Sequence, residues 1–259
     1  MKKTTKILIV IGLVVLILAG AGVGAGLYMH QQAKAEAAEE AKKADPVKAE
    51  EDYNKMQEEI VEQADDPYQN TIDFVTLQKQ NEDIYAWIKV PGTNIDYPVL
   101  QSVTEADDYY LNTTVDGKQG YPGSIYTEKY NSPSFTDPVT VMYGHDMKNG
   151  TMFSELHSYE DRAFFDANPY IYIYTPTSTL KYQVFAAVAF DDRYIMGSYN
   201  FSSQEDFQSY LDELRSSIAG NVNMDVPVSM ESRILTLSTC VADNSSQRWL
   251  VNATLVSQE

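Results

Sequence analysis

From Ile84 to the C-terminus the chain falls into short β runs separated by turn residues, and this pattern constrains the fold more than any other feature. The runs are Ala86–Val90, Ile95–Leu100, Gly123–Thr127, Val139–Tyr143, Tyr170–Tyr174, Tyr182–Phe190, Arg233–Thr239 and Arg248–Val256. Pro91-Gly92 and Thr175-Pro176-Thr177-Ser178 are turn signals between neighbouring runs. Many short strands with sparse helices predict a closed barrel or a sandwich. Helical patterns interrupt them in two regions. One covers Thr151–His157 and Asp161–Asn168. The other is Ser203–Ile218, where Phe207, Tyr210, Leu211, Leu214 and Ile218 recur at three- and four-residue spacing. Ser202 or Ser203 suits its N-cap and Gly220 its stop.

Ahead of the β region, the sequence runs from Ile7 to Met29 without a charge. A bilayer core takes about 20 such residues. Lys2, Lys3 and Lys6 precede the run, so the positive-inside rule keeps the N-terminus in the cytoplasm and puts everything after His30 outside. A cleavable signal peptide ending at Ala19-Gly20-Ala21 is the alternative, although the apolar run continues past it. Both readings export the remainder. Residues 31–52, rich in Ala, Glu and Lys and containing Pro46, read as a partly helical, solvated spacer. Tyr53, Met56, Ile60 and Val61 then predict a helix over 53–65, and Ile72, Phe74, Val75 and Leu77 a second over 71–80. The expected organisation is a basic tail (1–6), a membrane anchor (7–29), a spacer with the first helix (30–66) and one domain (67–259).

Acidic residues outnumber basic ones 37 to 19, a net charge of −18. Such a chain is repelled by phosphate backbones, which argues against nucleic-acid partners. One cysteine permits neither an intrachain disulfide nor a Cys-based zinc site, and the spacing of His30, His145 and His157 gives no metal motif. No cofactor or metal is expected.

Cys240 ends the run Arg233-Ile-Leu-Thr-Leu-Ser-Thr-Cys. Strand alternation puts it on one face with Thr236 and Ser238, and Leu235, Leu237 and Thr239 on the other. A lone cysteine is usually a small buried hydrophobe. In an exported domain, however, an unpaired thiol gains no bond and risks oxidation, which favours a reactive role. If the last two runs form a hairpin, Arg248 comes to face Cys240 with Cβ atoms about 5 Å apart. A guanidinium there can stabilise a thiolate or an oxyanion; a solvated loop-end arginine is the plainer reading. His145 follows a β run in Tyr143-Gly-His145, at a strand end where functional side chains are often presented. His157 reads as a surface residue whose loss is close to neutral, and His30 abuts the apolar run.

The order His, Cys, Arg, together with Thr236-Leu-Ser-Thr-Cys240 and Tyr143-Gly-His145, resembles the sortases, membrane-anchored cysteine transpeptidases of Gram-positive bacteria. Trp87-Ile-Lys-Val, Asn94-Ile-Asp-Tyr-Pro-Val, Tyr109-Tyr-Leu and Gly123-Ser-Ile-Tyr extend the likeness from about residue 70 to the C-terminus. Two preceding helices and the long Ser203–Ile218 helix resemble class B most. No aromatic lid motif or second apolar run of the pilin-polymerising class is seen. Val241 stands where class B often has an acidic residue, with Asp243 two further on.

The resemblance implies a mostly β fold: an eight-stranded closed barrel with two N-terminal helices and a long helix before the cysteine strand. It implies His145, Cys240 and Arg248 as the catalytic residues, and a groove lined by Ser238, Leu111, Tyr194 and Ile195. The implied partners are surface proteins with a C-terminal sorting signal, an amine of a peptidoglycan precursor or a pilin as acceptor, and the bilayer around the N-terminal helix. A single-pass membrane protein with its catalytic domain outside the cell is the expected arrangement. Rival readings are a non-enzymatic ectodomain that binds a ligand through its barrel, and a cysteine hydrolase on the same site.

Overall fold

The β runs pair into a single sheet that closes on itself. In the computed structural model, which describes residues 43–60, 69–242 and 244–259, nine strands are formed. These are β1 (Ile84–Lys89), β2 (Asp96–Leu100), β3 (Ile125–Thr127), β4 (Val139–Tyr143), β5 (Tyr170–Thr175), β6 (Ser178–Asp191), β7 (Gly220–Val222), β8 (Ile234–Val241) and β9 (Asn244–Gln258). Their order is β5-β1-β2-β3-β4-β8-β9-β6, and pairing of β5 with β6 closes this ring of eight. The expected eight-stranded closed barrel is therefore the observed one. The long β6 serves two neighbours along one edge: Ser178–Gln183 pair with β5, and Ala186–Val188 pair with the extra short strand β7. Gly220 thus opens β7 instead of stopping the preceding helix; its φ of 133° and its contact with the Ala187 carbonyl admit no side chain.

Period-2 alternation divides the strands into two apolar faces. Leu235 and Leu237 of β8 and Trp249, Val251 and Ala253 of β9 point into the barrel with Ile88, Ile171 and Ile173, all buried. The opposite face of β4, β8, β9 and β6 carries Val139, Val141, Ile234, Leu250 and Val188. That face would be wet without a cover, and the long helix supplies one.

The helices are α1 (Pro46–Ile60), α2 (Phe74–Gln80), α3 (Arg162–Ala167), α4 (Ile195–Ser198) and α5 (Gln204–Ser216), and Ser154–Glu160 forms a 3-10 segment before α3. Ser203 caps α5 by accepting from the Asp206 amide. The helix lays Phe207, Tyr210, Leu211 and Leu214 on the outer face. Tyr210 also pins it by hydrogen bonds: its hydroxyl meets Thr236 Oγ1 at 2.9 Å and donates to Asn252 Oδ1 at 3.1 Å. These buried polar groups satisfy one another, because Thr236 donates to the same Asn252 oxygen at 2.8 Å.

The helical part of the spacer is α1, which begins at Pro46, ahead of the helix expected over 53–65. Proline is a favoured first helical residue because its missing N–H is one that no helix bonds internally. Asp45 precedes it and accepts from the Val47 amide at 3.0 Å. The helix is held by its buried face, Ala49, Tyr53 and Met56. Val61 and the expected anchor at 7–29 lie outside the described residues. Among the described residues no helix is long and apolar enough to cross a membrane.

Candidate active site

Three adjacent strands bring the candidate residues into one row. β4 runs parallel to β8 with Tyr143 opposite Ser238, and the Gly144 amide continues the ladder to the Ser238 carbonyl at 3.2 Å. Two residues beyond that pair, the two strand ends carry His145 and Cys240 at the same level. β9 lies on the other side of β8, antiparallel, with Arg248 directly opposite Cys240. Neighbouring strands are about 4.8 Å apart, so the register brings His145, Cys240 and Arg248 to one level of the sheet, and all three side chains line one groove. The hairpin expectation for Cys240 and Arg248 thus agrees with the observed register. A bulge after Cys240, where Val241 pairs with Asn244 instead of a more distant residue, marks the end of the regular ladder.

Glycine is required in Tyr143-Gly-His145. A Cβ on Gly144 would lie 2.5 Å from Ile125 and 2.7 Å from Phe153, both buried in the barrel. Only a residue without a side chain lets β4 turn out over the barrel end at that point.

The three groups differ in environment. Cys240 is exposed, so its position is not that of a buried hydrophobe. His145 is half-buried, and its Nε2 lies 2.7 Å from the Leu111 carbonyl oxygen. A carbonyl only accepts, so Nε2 carries the proton and the neutral ring keeps its lone pair on Nδ1. Burial pushes the His145 pKa below its ordinary value, and the bond to Leu111 offsets part of that effect. Arg248 is half-buried, and its Nη1 donates to the carbonyls of Ser245 at 3.0 Å and Gln247 at 2.8 Å. The guanidinium is thereby anchored on the β8–β9 turn, and among the described residues no carboxylate pairs with it. The nearby Arg193 is different. Its Nε donates to both Asp191 oxygens, and Nη1 lies 3.1 Å from Glu213.

A groove runs over this row. Its lining includes all seven residues expected at the site: His145, Cys240, Arg248, Ser238, Leu111, Tyr194 and Ile195. Sequence reasoning missed Tyr126, Glu128, Tyr143 and Leu250, which line it too. Strand parity identifies Tyr143 and Leu250, since they share the outer face with Ser238 and Cys240. Nothing local identifies Glu128, which is brought in by the parallel β2–β3 pairing. Tyr194 donates to Glu128 at 2.6 Å, and burial raises the carboxyl pKa against that bond. Among the described residues the Tyr143 hydroxyl is buried without a hydrogen-bond partner.

Tyr53 of α1 ties down the Gly123 backbone, which packs against Leu111. Tyr53, fully buried, donates to the Gly123 carbonyl at 2.8 Å and accepts from the Val115 amide at 3.3 Å. Gly123 has a φ of 67° and sits so close to Leu111 that a Cβ would lie 2.3 Å from its carbonyl oxygen. One line of contacts therefore runs from the first helix to His145.

His157 is not the bystander its sequence context implies. It stacks on Trp249 with ring centroids 5.8 Å apart, and its Nε2 lies 2.9 Å from the carbonyl oxygen of Cys240. Its Nδ1 lies 2.7 Å from Glu160.

A sortase domain model matches residues 88–256. The chain belongs to the sortase family. It is 33% identical over 184 residues to sortase B of Listeria monocytogenes, covering 70% of this chain and 73% of that protein. It is 36% identical over 169 residues to sortase B of Staphylococcus aureus, covering 64% of this chain and 67% of that one. Among solved structures, the Staphylococcus aureus sortase B–substrate complex superposes with a TM-score of 0.66 at 28% identity, covering 81% of this chain and 97% of that one. Clostridium perfringens sortase B gives 0.62 at 32% identity, covering 71% and 99%. This sortase is thus of the class B type, and its chemistry is that of a cysteine transpeptidase.

Proposed function

We propose that this sortase cleaves a sorting signal after a threonine and joins the cargo to an amine of a cell wall precursor, with Cys240, His145 and Arg248 as its catalytic residues. The observation that carries this reading is the row of three across β4, β8 and β9, with an exposed thiol at its centre. His145 takes the Cys240 proton on Nδ1, and the resulting thiolate attacks the carbonyl carbon after the threonine. The C–S bond forms, Arg248 stabilises the oxyanion, and the C–N bond breaks as His145 protonates the leaving amine. The acceptor amine then attacks the thioacyl carbon. His145 takes its proton, the new C–N bond forms, the C–S bond breaks with Cys240 leaving as thiolate, and His145 returns the proton to it.

Ser238, Leu111, Tyr194 and Ile195 form the substrate groove in this reading. A pilin lysine is the alternative acceptor. The apolar run at 7–29 holds the enzyme in the membrane with its barrel outside the cell, in keeping with the basic flank ahead of it.

Mass spectrometry of Cys240 after incubation with candidate sorting peptides tests the reading. A thioacyl adduct is expected, resolved to an amide when an amine is supplied. An alkylation-inert Cys240 that forms no adduct would indicate a binding module, and release to water alone would indicate a hydrolase.

A further inference from the structure

Resting on the transpeptidase reading above, we propose that His157 is a positioning residue that fixes the separation of Cys240 and His145. The need for it follows from the ladder. In a strand, carbonyls two residues apart point the same way. The Ser238 carbonyl accepts from Gly144, on the β4 side. The Cys240 carbonyl faces that side as well, but β4 has ended at Tyr143. A backbone acceptor at a strand end needs another donor, and His157 Nε2–H supplies it at 2.9 Å.

The 3-10 segment that carries His157 is tied to the other catalytic residue. The Phe153 amide, one residue before the segment, donates to the His145 carbonyl at 3.0 Å. Asp146, next to His145, has its Oδ2 3.8 Å from His157 Nε2. Trp249, adjacent to Arg248, fixes the segment from below by donating to the Leu156 carbonyl at 2.9 Å and by stacking on the imidazole. One short segment therefore grips the backbone of the acid–base residue at one end and that of the nucleophile at the other. Its grip on Cys240 is a single side-chain hydrogen bond.

His157→Phe keeps a flat ring over Trp249 and removes the donor, whereas His157→Gln restores a donor at a similar reach. A misplacement of about 1 Å in a reacting group can cost on the order of 10²-fold. His157→Phe is expected to lower kcat by about tenfold or more with KM within about twofold, the pattern of a contact needed only in the transition state. His157→Gln should recover most of that loss. Amide hydrogen exchange at Cys240 and Val241 should quicken in the Phe variant, with an unchanged melting temperature. This last readout needs no catalysis, so it decides the clamp even if wild-type protein forms no thioacyl adduct and the transpeptidase reading fails. Wild-type kcat and exchange in His157→Phe would overturn the proposal. So would equal losses in both variants accompanied by a lowered melting temperature, since that is a purely structural role.

Discussion

Arg248→Lys separates a positioned oxyanion donor from a mere positive charge. The arginine fork has two uses here. Nη1 is spent on the Ser245 and Gln247 carbonyls, at 3.0 and 2.8 Å, which locks the guanidinium plane. Among the described residues Nη2 and Nε have no partner and remain for a substrate oxygen. Lysine has one nitrogen on a flexible stem. It can hold the turn or follow the oxyanion, and doing either leaves the other undone. Losing one oxyanion donor costs roughly 10²–10³-fold, or about 2.7–4 kcal/mol. The retained charge recovers part of that, so at least a tenfold loss of turnover is expected, about 1.4 kcal/mol. The assay is steady-state amide formation from a sorting peptide and an amine, run beside alkylation of Cys240. Alkylation should stay close to wild type. Turnover within about twofold of wild type would refute the positional role and leave only electrostatics. A parallel collapse of alkylation would instead assign Arg248 to thiolate stabilisation.

Cys240→Ala should abolish both the thioacyl adduct and transpeptidation while leaving the unfolding midpoint nearly unchanged, because the thiol is exposed at a strand end; any amide product from it would remove Cys240 as nucleophile. The folded-state pKa of His145 lies below its ordinary value, so below about pH 6.5 the unfolded chain binds a proton that the folded one does not. That contribution to stability is complete above pH 6.5 and is lost as pH falls through the folded pKa; urea midpoints should drop on acidification, and less steeply in His145→Asn. His145→Ala should cost turnover by about 10²–10⁴-fold, the usual range for acid–base assistance, which a sorting-peptide assay reads directly. Tyr53→Phe should cost about 1–3 kcal/mol by urea denaturation, because the buried Gly123 carbonyl and Val115 amide lose a partner.

How much of the site was legible follows from the sequence separation of each contact. The Cys240–Arg248 pair spans one turn, and strand periodicity was enough to foresee it. The same alternation separated Ser238 and Cys240 from Leu235 and Leu237, and the buried residues of the barrel agree. The eight runs themselves are local patterns, and all eight form strands. His145 beside Cys240 is another matter. It depends on parallel pairing of β4 with β8, strands separated by β5, β6, β7 and α5, and only the family resemblance implied it. His157 escaped altogether, because its partner is a backbone carbonyl, and every residue has one. The helix start at Pro46 escaped for a similar reason: a composition of Ala, Glu and Lys describes a partly helical spacer and a docked surface helix equally well. What decides between them is Tyr53, whose partners, Val115 and Gly123, lie 62 and 70 residues away in sequence.

The distribution of these contacts says where the site draws its precision. Nucleophile and guanidinium face each other through a strand pairing, with the carbonyl of Cys240 held in addition by His157. The acid–base residue is set by a strand end that has just left its ladder. Its ring is therefore held by the Leu111 carbonyl, from the 3-10 turn Tyr109–Asn112, and its backbone by Phe153. Ladder positions resist perturbation because each residue shares its constraint with the neighbours on both sides. Loop-held positions depend on a few individual bonds, here those of Tyr53, Gly123 and His157. Substitutions that spare the three reacting groups should accordingly harm catalysis most where they loosen His145 or the peptide after Cys240, and least along the β8–β9 ladder itself.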